Sequence, residues 1–175
     1  MDFSVVCACN RWRTKTIDAV SVFLSWIPFL VMLWVVTALS FFFFDRQLGQ
    51  QVFWGVTFAM ALLFSINEVL IKRILTKWWG VRLRPYMAHP DKIVPVGRRH
   101  SDSSFPSSHV AGMMSGSTVL VFYHPSLWPL LLLATALVGF SRLHNGMHYL
   151  SDLLAGAVLG MMYGALGIYL STLII

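Results

Sequence analysis

Three short clusters in this chain gather residue types that handle phosphate. The first is Lys77-WWGVRL-Arg84-Pro85, the second Pro106-Ser107-Ser108-His109, and the third Ser141-Arg142-LHNGM-His148-YLS-Asp152. The second lies in DSSFPSSHVAGMM (102–114), where four serines, an aspartate and a histidine run into an apolar stretch ending at Tyr123. Proline favours the first helical turn and serine favours caps. A helix start has free N–H groups and the positive end of the dipole, and so holds phosphate well. Ser107 and Ser108 add hydroxyl donors, and His109 can give or take a proton. Alone, this cluster reads more simply as a plain helix cap with a satisfied histidine.

The third cluster demands more. His148 and Asp152 are four apart, hence on one helical face. An aspartate bonded to one ring nitrogen fixes the tautomer and makes the other nitrogen a better nucleophile. His144, His148 and Asp152 could instead ligate a metal along one stripe. That alternative leaves the gathering of Lys77, Arg82, Arg84 and Arg142 unexplained, because cations repel a metal but suit a phosphate. The residues point to phosphoryl transfer with no metal or other cofactor, arginine and lysine carrying the charge that Mg²⁺ carries elsewhere.

What must position these clusters is a membrane bundle. Of the 175 residues, 57% are hydrophobic and only 11% charged, too little charge for a soluble surface. Residues 19–44 contain no charge and exceed the ~20 residues that cross a bilayer core as a helix. They read as a span rather than a cleaved leader, being too long for a signal core and lacking a small-residue cleavage site. Further spans are expected at about 52–71 (continuing as helix towards Trp79), 107–123, 126–141 and 152–175, with tight polar links at 45–51, 124–126 and 142–151. Residues 1–18 are expected to be an interfacial helix or a tail, and 80–105, with prolines at 85, 90 and 95, a long active-site loop. The expected fold is therefore all-α: an integral membrane bundle of about five spans in a single domain, 1–175, with no repeat. Spans that alternate sides bring all three clusters to one end. Small residues at Gly112-x3-Gly116 and Gly156-x3-Gly160-x3-Gly164 read as close helix packing. Glu68 and Lys72, four apart, read as a structural pair, and Cys7 and Cys9 as two unpaired thiols. The net charge of +6 sits between apolar spans, which favours anionic lipid over nucleic acid as partner.

In order and spacing the clusters resemble the signature of the type 2 phosphatidic acid phosphatase family: K-x6-R-P, P-S-G-H and S-R-x5-H-x3-D. The match covers residues 77–152. Ser108 stands where the family usually has glycine, and the family's membrane members typically have six helices where five are expected here. The resemblance implies that His148 is a nucleophile forming a phosphohistidine, Asp152 its orienting partner, and His109 the general acid that protonates the leaving oxygen. It implies a phosphate cradle of Lys77, Arg84, Ser107 and Arg142 with the Ser108 N–H. The implied substrates are membrane lipid phosphates: undecaprenyl pyrophosphate, lipid A 1-phosphate or phosphatidylglycerophosphate and phosphatidate. No obligate protein partner is evident.

Sidedness is contested within the sequence. Lys and Arg in short loops favour a cytoplasmic site by the positive-inside rule, but several of those cations are functional. Bacterial relatives place the site on the outer face of the inner membrane, and that is the expectation here. Two other classes remain open: a non-enzymatic transport or assembly protein on the same scaffold, and an intramembrane serine hydrolase using Ser107 or Ser108 with His109.

Overall fold

The structure is a computed structural model and describes residues 2–175. Its described residues form helices, turns and loops and no strand. They are α1 (Asp2–Asn10), α2 (Lys15–Leu24), α3 (Ile27–Phe44), α4 (Arg46–Leu63), a π-helical segment (Phe64–Leu75), α5 (Thr76–Trp79), α6 (Pro85–Ala88), α7 (Ser108–Tyr123), a 3-10 turn (Pro125–Leu127), α8 (Trp128–His144) and α9 (Leu150–Ser171).

Four helical stretches among the described residues are long and apolar enough to cross a membrane: Ile27–Phe44, Arg46–Trp79, Pro125–His144 and Leu150–Ser171. With α7 they make the five expected helices. At sixteen residues, α7 is only about 24 Å long at 1.5 Å per residue. It is also the enclosed helix, with Val110, Ala111, Met113 and Val119 in the core. Outward positions on α3, such as Val31, Met32, Val36 and Phe43, stay apolar and exposed, as a lipid-facing wall requires.

The boundaries differ from expectation where a single residue decides them. The expected first span, 19–44, breaks at Ser25–Trp26 into α2 and α3, because Pro28 fits the first turn of a new helix and cannot continue an old one. The expected link at 45–51 shrinks to Asp45, whose carboxylate accepts from Leu48 N at 3.0 Å and caps α4. The link expected at 142–151 shrinks to 145–149. Of the two forms expected for residues 1–18, the free tail is excluded. Val6 is fully buried, and the Asn10 amide bonds the Val94 and His144 carbonyls at 2.9 and 2.7 Å.

Helix packing sets the register of the site. A Cβ on Gly156 would lie 2.5 Å from the Ser107 carbonyl oxygen, and one on Gly160 2.5 Å from that of Ala111. A Cβ on Gly164 would lie 2.7 Å from that of Ser115. The contacts ascend together along both chains, so α7 and α9 run parallel with their backbones touching. A hydrogen bond from Ser107 N to the Asp152 carbonyl, 3.0 Å, ties the two starts together. Gly156→Ala should therefore push the second cluster away from the third. The overpacking costs about 1–3 kcal/mol. In detergent the variant should stay folded, with a melting temperature a few degrees lower, and the phosphate release expected from the sequence should fall at least about tenfold, since displacements near 1 Å are costly at a reacting centre. Unchanged turnover would show that this contact does not set the site.

Candidate active site

The three clusters meet at one end of the bundle, around the mouth of a cavity of about 650 Å³. Each part is brought there by a local device. Pro85 opens α6 directly after Arg84, so the arginine leaves an extended backbone and turns inward, 2% exposed. Arg142 lies in the last turn of α8. Gly146, at φ +68°, then reverses the chain so that His148 returns to the same place. Ser107 caps α7 from an extended conformation and leaves the first N–H groups of that helix facing the cluster.

His148 is almost fully buried, 1% exposed. Its Nδ1–H donates to the Ser104 carbonyl at 2.7 Å, and its Nε2 accepts from Arg84 at 3.2 Å. A carbonyl can only accept, so the proton sits on Nδ1 and the lone pair on Nε2. Asp152, the expected orienting partner, lies 3.7 Å from Nδ1 and is not its hydrogen-bond partner. Its carboxylate accepts from Tyr149 N at 2.9 Å and from Arg82 at 2.7 Å. The buried Asp152 charge thus stands behind the ring while a backbone carbonyl fixes the tautomer.

Arg84 also bonds the Met147 carbonyl at 3.1 Å and the Asp102 carboxylate at 2.7 Å. Burial alone would raise the Asp102 carboxyl, but Arg84 and Lys72 outweigh it and hold the group below its ordinary value. Arg142 is 3% exposed, and its Nε has no hydrogen-bond partner among the described residues; neither has the buried Ser107 hydroxyl. Such buried unmet donors are costly unless something binds them. Arg142 lines the cavity.

Two expected cradle residues stand differently. Lys77 is exposed on α5 and does not line the cavity. Lys72 does, paired with Glu68 at 2.8 Å and with Asp102 at 3.3 Å. The Ser108 hydroxyl donates to Glu68. So the expected Glu68–Lys72 pair exists, but inside the site. The Nε2–H of His109 donates to the Ser25 carbonyl at 3.0 Å. His144 does not converge with His148 and Asp152: its ring bonds Asp18 at 2.8 Å and the Cys9 carbonyl at 3.1 Å. The His89 ring lies tilted at 38° against Phe3 and His124 stacks on Phe41, while His100 and Asp102 reach the cavity.

The sequence carried a signal for some of what it missed. A carboxylate and a lysine inside an apolar span usually face the interior, which is where Glu68 and Lys72 lie. The Ser104 and Ser25 carbonyls carried none, since a backbone group has no residue-type signature.

The charge around His148 has a pH consequence. Burial first, then Arg142, Arg84 and Lys72, hold its imidazole well below the ordinary histidine value. A lowered pKa keeps the ring unprotonated as pH falls through about 6.5. With a soluble aryl phosphate, corrected for substrate ionisation, the acid limb of kcat/KM should lie well under that value. An acid limb at or above it would contradict the placement of His148 among three cations.

The class that this fold and site define is a membrane helical bundle with cations gathered around a buried histidine at one end. The chain belongs to the PAP2 superfamily, whose model matches residues 52–173. It is 26% identical over 156 residues to undecaprenyl-diphosphatase BcrC of Bacillus subtilis, covering 88% of this chain and 75% of that protein. It is 28% identical over 173 residues to the undecaprenyl-diphosphatase of Sulfolobus acidocaldarius, covering 93% and 75% of the two chains. Its fold resembles the crystal structure of a transmembrane PAP2-type phosphatidylglycerolphosphate phosphatase from Bacillus subtilis: TM-score 0.69, 24% identity, with 99% of this chain and 86% of that one covered. It also resembles LpxE of Aquifex aeolicus, with TM-score 0.69, 20% identity and coverage of 96% and 94%. The expected family, the all-helical membrane fold and the multi-pass placement therefore hold.

Proposed function

We propose that this protein is a membrane phosphatase that hydrolyses a lipid phosphate through a phosphohistidine. The observation that carries this reading is the shape and lining of the cavity. At its polar end stand His148, Arg84, Arg142 and His109; from there it runs between α3 and α4 along Leu30, Trp34, Val56 and Met60. A headgroup phosphate fits the first part and a hydrocarbon tail the second. The names of the relatives, undecaprenyl-diphosphatase among them, support a polyprenyl diphosphate as the first substrate to try.

On this reading Arg84, Arg142, the Ser107 hydroxyl and the first N–H groups of α7 hold the phosphoryl oxygens. His148 Nε2 forms a bond to phosphorus as the P–O bond to the lipid breaks. His109 gives its proton to the departing oxygen. Water then attacks the phosphohistidine, with His109 as base, and releases phosphate. Fixed cations supply the charge stabilisation, so no metal is needed. The serine-hydrolase alternative finds less support: the Ser108 hydroxyl is engaged by Glu68, and the His109 Nε2 by a carbonyl.

The test is phosphate release by purified protein in detergent. It is run on undecaprenyl diphosphate, lipid A 1-phosphate, phosphatidylglycerophosphate and phosphatidate, with and without EDTA and with vanadate. Release that survives EDTA and is blocked by vanadate is expected. Loss in EDTA restored by Mg²⁺ or Zn²⁺ would overturn the mechanism. Release from none of the lipids would favour a transport or assembly role. On this reading the site faces outward from the inner membrane. An impermeant reagent should therefore label a single thiol engineered within 92–100 in intact cells.

A further inference from the structure

The chain's first 25 residues precede the stretch matched by the family model, which begins at residue 52. Yet the C-terminal end of α2 touches the residue read as the general acid. Ser25 ends α2, and its carbonyl accepts the Nε2–H of His109 at 3.0 Å. That carbonyl is itself pinned. The Ser25 hydroxyl meets the Ser141 hydroxyl at 2.8 Å and accepts from the Asn145 amide at 3.1 Å. The Ser21 hydroxyl donates to the Asn145 carbonyl oxygen at 2.7 Å. Ser21, Ser141 and Asn145 are all buried. This is a closed polar latch between α2 and the end of α8 with the turn after it, which carry Arg142 and His148.

We propose that Ser25 is a positioning residue for proton transfer: its carbonyl holds one ring nitrogen of His109 and so dedicates the other to the leaving oxygen. The inference rests on the phosphatase reading. A carbonyl accepts and never donates, so Nε2 keeps its proton and the lone pair of the neutral ring is on Nδ1. When the ring takes a second proton, that proton is on Nδ1. As the P–O bond breaks, the Nδ1 proton passes to the departing oxygen and the ring returns to its neutral Nε2–H form. Without the carbonyl the ring can rotate or change tautomer, and the donor is misaligned. The corner between α2 and α3 would then be catalytic scaffolding, which explains why a polar cluster is built into an otherwise apolar wall.

The experiment separates proton delivery from general damage. Purified Ser25→Ala and Ser25→Thr are compared with the unmodified protein on two probes, dodecyl phosphate and 4-nitrophenyl phosphate. The alkoxide must be protonated as it leaves, whereas 4-nitrophenolate leaves without help. Ser25→Ala should lose about tenfold in kcat on dodecyl phosphate and less than about threefold on 4-nitrophenyl phosphate. Ser25→Thr, which keeps the hydroxyl, should recover most of the loss. His109→Ala should show the same split, larger. Equal losses on the two probes would show a merely structural serine, and no loss on dodecyl phosphate would show no role; either overturns the proposal. Should Ser25→Ala fail to accumulate in membranes, Ser21→Ala, one bond further out, is expected to show the same pattern at about threefold, and its absence would count equally against the latch. Phosphate release from neither probe by the unmodified protein would instead overturn the phosphatase reading, and the Ser25 role with it.

Discussion

His148→Ala should remove turnover by more than about a thousandfold and abolish any trapped phosphoenzyme. The ring is held on both sides, by the Ser104 carbonyl at Nδ1 and by Arg84 at Nε2, so its lone pair has one direction and lies among cations. His109 presents Nε2–H to Ser25, and His144 is taken up by Asp18 and Cys9. Rapid quenching of the unmodified protein with labelled substrate should trap a label that is lost in acid and survives alkali, as a P–N bond does. A label that survives acid and is lost in alkali would point to Ser107, Ser108 or Asp152 as acceptor. That result would overturn the central assignment even in a working phosphatase.

The second large effect is at Arg142. Arg84 already spends its guanidinium on Met147, Asp102 and His148. Arg142 is as deeply buried, yet its Nε has no partner among the described residues. A planar fork with a free donor is suited to grip two phosphate oxygens at once, and an ammonium is not. Arg142→Lys should therefore cost tenfold or more in kcat/KM, about 1.4 kcal/mol of transition-state binding. Because Arg142 is the second-largest influence on the His148 imidazole after burial, and Lys keeps the positive charge, the acid limb should barely move. A lysine variant with near-normal turnover would make Arg142 a packing residue.

The spacing of the three clusters made the end of the bundle legible before its geometry was known. Motif distances of four and seven residues survive folding when the backbone between them is regular. Lys77 shows where this fails. The segment Phe64–Leu75 just before it winds as a π-helix, with i→i+5 bonds in place of i→i+4. Lys72 lies within this segment and lines the cavity, whereas Lys77, on α5 beyond it, is exposed and does not. No residue type announces a π turn. Asp152 does stand beside His148, 3.7 Å from Nδ1 as the spacing suggests, but Ser104, 44 residues earlier, offers the ring a closer acceptor. Pro28 was readable and marks the break between α2 and α3, but an uninterrupted apolar run masked it.

The cavity wall contains Val31 and Val35 of α3, which are 53% and 41% exposed. On the lipid-phosphatase reading, this wall along α3 is where the chamber would open to the bilayer. A lipid entering by that route would keep its tail in hydrocarbon throughout, and its dephosphorylated product would leave the same way. Encounter would then take place in two dimensions, and the variable that sets the rate would be the mole fraction of substrate in the membrane or micelle, not its amount per litre. At fixed substrate, adding inert detergent should slow the reaction by dilution of the surface alone, while a water-soluble phosphate ester reaching the same histidine from the aqueous end should be indifferent to it.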